Sequence, residues 1–169
     1  MKKTILMLTA AISLLTACGD KKKTTTGDNS TTTEGTGLTV NDSEGKTGSF
    51  SADGAAFKGK SSTQYFGDKI TGQFSVLCQQ DEPFALLQAV FANEKEASGS
   101  LKPGESAYKV YPGDANIALS GTAIGEKEFV TRSNSTGSIT VNGKELVIKD
   151  LQLFDADNKE KKLNATIAF

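Results

Sequence analysis

The chain has no histidine and no tryptophan, and only two cysteines and three prolines in 169 residues. Without histidine there is no Ser-His-Asp or Cys-His catalysis, and the commonest neutral metal ligand is missing. Without tryptophan, stacking on a ligand falls to three Tyr and nine Phe. No apolar run reaches the roughly 20 residues that a membrane-spanning helix needs. Positive charge is not in excess either. Lys and Arg number 19 against 20 Asp and Glu, for a net charge of −1. A chain with no basic surplus is not expected to bind nucleic acid.

What is present begins at the N-terminus. Lys2 and Lys3 precede an apolar stretch over 5–15, interrupted only by small residues such as Thr9 and Ser13. Small Thr16 and Ala17 then lead into Cys18. Positive, apolar, small, in that order, is a secretory signal. Leu15, Thr16, Ala17 and Cys18 match position by position the lipobox of bacterial lipoproteins, and in this segment the chain resembles that family. The resemblance implies that a diacylglycerol joins the Cys18 sulfur, that residues 1–17 are removed and that Cys18 becomes an acylated N-terminus. One acyl chain holds a protein marginally, while two or three anchor it firmly. The expected membrane partner is lipid, through Cys18, and the expected address is the cell envelope. Gly19 stands where inner-membrane retention of the enteric type uses Asp, so the resemblance favours the outer membrane in a host that has one. Loss of 1–17 takes two positive charges and leaves the mature chain at −3. With Cys18 lipidated, Cys78 has no disulfide partner.

Three segments follow from composition: a signal peptide over 1–17, a lipidated Cys and polar tether over 18–46, and a domain over 47–169. The tether holds Lys21-Lys22-Lys23, Thr24-Thr25-Thr26 and Thr31-Thr32-Thr33, with Leu38 and Val40 almost its only apolar residues. Such a stretch buries too little surface to offset its ordering entropy, so it is expected to be disordered. As a coil it would span roughly 30 Å.

From Thr47 the pattern changes to period two. Phe50 and Phe57 flank an Asp53-Gly54 turn, and Gln64-Tyr65-Phe66 forms a separate short run. In 69–79, Ile70, Gly72, Phe74, Val76 and Cys78 share one face, which predicts a half-buried strand with Cys78 inward. Residues 84–91 read as a helix by propensity or as the return strand of a hairpin; the surrounding strands favour the hairpin. Pro103-Gly104 and Pro112-Gly113 suit type II turns around a short strand at 106–110. Further strands are expected at 115–123 and 126–132. Asn142-Gly143, between Ser138-Ile139-Thr140-Val141 and Leu146-Val147-Ile148, is the strongest hairpin signal. A phase slip predicts a bulge near Lys149-Asp150. Leu163, Ala165, Ile167 and Phe169 alternate to the last residue. The fold class expected is all-β, a single antiparallel β-sandwich or barrel-like domain with hairpin connections. In layout the chain is similar to small all-β lipoproteins of Bacteroidetes-type bacteria, families largely without assigned function.

The candidate chemistry is thin. Ser106-Ala107-Tyr108-Lys109, Ser133-Asn134-Ser135 and Lys46-Thr47-Gly48 fit the SxxK, SxN and KTG motifs of penicillin-interacting enzymes. SxxK needs a helix, however, and on a strand Ser and Lys three apart face opposite ways. Asp155, Asp157 and Asn158 carry calcium-type oxygens without EF-hand spacing, so a solvated turn is expected. Tyr65, Phe66, Tyr108 and Tyr111 are candidates for a stacking platform. No catalytic, cofactor or metal residue is assigned; Cys18 is the single assigned site. The expected function is that of a non-enzymatic binding or interaction module with a protein or glycan partner. The alternative is a carrier of a small apolar ligand in a barrel cavity.

Overall fold

The computed structural model describes residues 30–33, 38–67, 71–105 and 109–169, with side chains from Gly45 onward. Cys18, Gly19 and the signal segment lie outside the described residues.

Period-two patterning becomes eleven strands: β1 (Ser30–Thr33), β2 (Leu38–Ala52), β3 (Ala55–Phe66), β4 (Gln73–Gln80), β5 (Ala85–Phe91), β6 (Gly99–Pro103), β7 (Asp114–Ser120), β8 (Phe129–Val130), β9 (Ser138–Asn142), β10 (Glu145–Phe154) and β11 (Glu160–Ala168). Nine of them close a barrel in the order β2-β11-β10-β9-β6-β7-β5-β4-β3, with β3 returning to pair with β2. Closure leaves no free edge around the wall. β1 pairs with the first part of β2, and β11 pairs with its last part, Gly48 to Ala52. Strands β1 and early β2 fall within the stretch that composition marks as a tether.

The wall departs from pure antiparallel pairing at one joint, where β6 and β7 run parallel. That pairing covers only Lys102–Asp114 and Pro103–Ala115. Beyond it the gap between β7 and β10 is filled by two-residue β8, which pairs Val130 with Ala118 on one side and Phe154 on the other. Thr131 extends the seam. Its N–H donates to Ile117 O at 2.9 Å, and its Oγ1 accepts from Ile117 N at 3.0 Å.

Residues 84–91 form the return strand of a hairpin, β5, as the surrounding strands suggest. The bulge lies where the phase slip predicts, between Ile148 and Leu151. Asp150 takes φ 48° there, and its N–H donates to Asn164 Oδ1 at 2.9 Å. The Asn-Gly hairpin forms one residue out of frame. Asn142 pairs with Glu145, so Gly143 and Lys144 are its central residues. Pairing inward Val141 with inward Leu146 requires that loop. Three expectations need correction. The 55–66 segment is one continuous strand, because Ser61 and Thr63 point inward and keep its phase. Residues 109 and 110 are irregular, and the strand expected over 126–132 shrinks to Phe129–Val130. β6, at Gly99–Pro103, has no clear sequence signal.

Inward side chains fill the barrel. Phe74 lies at its centre, with ring centroids 5.1 Å from Tyr65, 6.1 Å from Phe91 and 5.9 Å from Phe169. Leu87, Ile117, Leu119, Leu146, Ile148 and Ile167 complete a fully buried core. Close packing of this kind is what makes a protein interior dense.

Candidate functional site

The sequence-marked residues scatter over the barrel. Cys78 faces inward and is fully buried. A Cβ at Gly48 would lie 2.9 Å from its Sγ, so the sulfur occupies space that only glycine leaves open. Burial pushes its thiol upward, against opposing hydrogen bonds from the Gly48 and Gly59 backbone. A thiol held protonated in a tight core is a packing group and not a nucleophile. Tyr65 is buried, and its hydroxyl donates to Glu94 Oε2 at 2.8 Å. Burial, followed by that carboxylate, raises the phenol well above its usual range. Phe66 and Tyr111 are exposed, and Tyr108 and Ser106 lie outside the described residues. Buried Tyr65 takes no part in an exposed stacking platform.

The Asp155 turn is more built than the solvated turn that its composition suggests. Asp155 is only 2 % exposed. Its Oδ1 accepts from Asp157 N at 2.9 Å and Lys159 N at 2.8 Å, and its Oδ2 accepts from Lys127 Nζ at 3.0 Å. Burial raises the carboxyl, but the Lys159 N–H, the Lys127 ammonium and the Asp157 N–H outweigh it and hold it below its usual value. Lys127 also reaches Asp157 Oδ2 at 2.7 Å. Arg132 lies over the Phe154 ring, with its carbon 5.5 Å from the centroid, and donates to Asp155 O at 2.6 Å and to Asn158 Oδ1. A depression of about 410 Å³ opens beside Lys127, Val130, Arg132 and Phe154. Both Asp155 carboxylate oxygens and both cations there are already committed to partners within the corner, so it is a structural knot.

The larger concave region lies on the outside of the barrel, across β10, β11, β2, β3 and the end of β4. Alternation places Phe50, Ala52, Leu163, Ala165 and Ile167 inside, and so it turns Ser49, Ser51, Asn164 and Thr166 outward. Register sets these in rows: Val147–Thr166–Ser49–Lys58 across four strands, and Asn164–Ser51–Ala56 beside it. Thr47, Lys60 and Gln79 make a third row. Two adjoining depressions of about 550 and 490 Å³ follow these rows and share Ser49, Lys58 and Thr166. Gln80 Oε1 accepts from Lys58 N at 3.1 Å and pins the β4–β5 turn to one rim. Lys58, Lys60 and Lys149 are exposed and, among the described residues, pair with no carboxylate. One acid, Asp81, lines the trough, and Gln79 Nε2 donates to it at 2.8 Å. The trough thus sets hydroxyl, amide and ammonium groups among carbon surface from Ala56, Val147 and Ile148, with the buried Phe50 and Phe57 beneath its second depression. The signal for it in the sequence is the Thr47-x-Ser49-x-Ser51 and Asn164-x-Thr166 alternation, which becomes a surface only through strand order.

No protein-family model matches this chain, and neither curated proteins nor solved structures give a significant match.

Proposed function

We propose that this protein is a lipid-anchored module of the cell envelope, held by acyl chains on Cys18, whose β-barrel binds or displays a partner without catalysing a reaction. The observation that carries this reading is Leu15-Thr16-Ala17-Cys18 following a short apolar run behind two lysines. Two features of the barrel support a binding role on its outer wall. Its interior is occupied by side chains, and the three depressions described above all open outward. Both features support the outer wall as the working face and so favour an interaction module over a carrier of a small apolar ligand. The outer membrane is the favoured location where the host has one, since Gly19 and not Asp follows Cys18.

Mass spectrometry of the protein purified from its host membranes tests the anchor. The expected product starts at Cys18 and carries diacylglycerol with or without an amide-linked acyl chain. Cys18→Ser should give no such product and accumulate uncleaved. A wild-type product without lipid, or one that begins at another residue, overturns the reading.

A further inference from the structure

We infer that the outer trough across β10, β11, β2 and β3 is a binding site for an extended anionic polysaccharide. The inference concerns the barrel wall and stands whether or not Cys18 is lipidated.

The argument starts from charge. The whole chain is slightly acidic, yet the trough collects Lys58, Lys60 and Lys149, each exposed and without an ion-pair partner among the described residues. Elsewhere on the barrel Lys127, Lys144, Lys161 and Lys162 are paired with Asp or Glu, while, among the described residues, Lys95, Lys102 and Lys159 stand singly outside the trough's lining. Unpaired cations gathered in a concavity, with Asp81 the single acid on its lining, attract anions. The remaining chemistry selects the type of anion. Ser49, Ser51, Thr166 and Asn164 offer donors and acceptors in rows, which suits a polymer of hydroxyls. The Phe50 and Phe57 rings at the second depression are buried and stacked on each other, which leaves no exposed ring face on which a nucleic-acid strand could stack its bases. No exposed large apolar side chain borders it to receive acyl chains, since Phe66, Phe84 and Tyr111 lie outside its lining. From β4 to β10 the trough crosses four inter-strand spacings, roughly 19 Å. That length fits a short run of linked sugars better than a single small anion. Lysines at both ends with hydroxyls between them match a chain whose carboxylates or phosphates recur along its length.

The test uses the full-length protein in detergent and polygalacturonate as the anionic polymer, with dextran as its uncharged counterpart, read by isothermal titration calorimetry. Polygalacturonate is expected to bind, dextran is not, and binding should weaken as salt is raised. The triple variant K58E/K60E/K149E should lose on the order of tenfold or more in affinity. Ser49→Trp, which fills the depression without changing charge, should lose a comparable amount. K102E/K159E, on other parts of the surface, should bind as wild type does. Circular dichroism and the thermal midpoint verify that each variant is folded. Wild-type affinity in both the triple variant and Ser49→Trp overturns the inference. So does binding to phosphatidylglycerol vesicles over phosphatidylcholine vesicles that depends on the three lysines while polygalacturonate gives no heat; that result would mark a membrane-resting face instead.

Discussion

At the scale of single residues, two buried polar groups hold the places where the regular ladder fails. Thr131 substitutes a hydroxyl for the strand that β7 lacks at Ile117. Thr131→Val keeps the shape but leaves the Ile117 N–H buried without an acceptor, a loss of about 1–3 kcal/mol. Urea unfolding should show the midpoint falling for Thr131→Val and falling less for Thr131→Ser, which keeps the oxygen. Asp155 does similar work at the β10–β11 turn, and its protonation carries a pH signature. Its folded pKa lies below the ordinary value of about 3.9. The stability it supplies is therefore complete above that value and is lost as pH falls through the folded pKa. Asp53 behaves in the same direction, lowered first by the Lys162 N–H, against burial, and then by Lys161. Asp155→Asn should be less stable than wild type at neutral pH, and thermal melts should show the gap closing below about pH 4. A gap that stays constant down to pH 2 would remove Asp155 from this role.

At the scale of elements, the bulge in β10 decides which way half a strand faces. Leu146 and Ile148 point inward before it and Leu151 and Leu153 after it. Without the extra residue the second pair would turn to solvent, since a one-residue shift inverts a strand. Deleting Asp150 should therefore abolish the cooperative thermal transition, while Asp150→Asn, able to adopt the same positive φ, should melt near wild type. This bulge was legible because Ile148 and Leu151 break the alternation. So were β4, β5 and the β9–β10 hairpin, where apolar residues recur every second position. The unreadable elements fail for physical reasons. β3 passes through Ser61 and Thr63 on its inner face, and Ser61 satisfies itself on Ala168 O, so the core pattern is polar where the strand continues. β6 starts with Gly99 and Ser100 and ends on Pro103, residues that announce a turn. Its antiparallel partner, β9, is distant in sequence. The trough was hidden for the same reason. Each strand contributes an ordinary polar outer face, and only the strand order lays those faces side by side.

At the scale of the whole molecule, closure makes the wall cooperative, but unequally so. β4 and β5 lie within long ladders on both sides, whereas β8 contributes two residues at the seam. Native-state hydrogen exchange should find Val76, Leu87 and Ala89 amides opening only with global unfolding. The 132–137 segment, which follows β8, should exchange earlier through local opening. Equal protection in both regions would mean that the seam is as firm as the rest of the wall.

β2 lies between β3 and β11, and the chain reaches the barrel through it. Tension applied to the chain ahead of β2 therefore runs down the axis of a staff fastened on both flanks. The rungs on either side resist such sliding together instead of peeling apart in turn. If Cys18 carries lipid as proposed, a barrel moored by this strand can be tugged from that end without being unzipped.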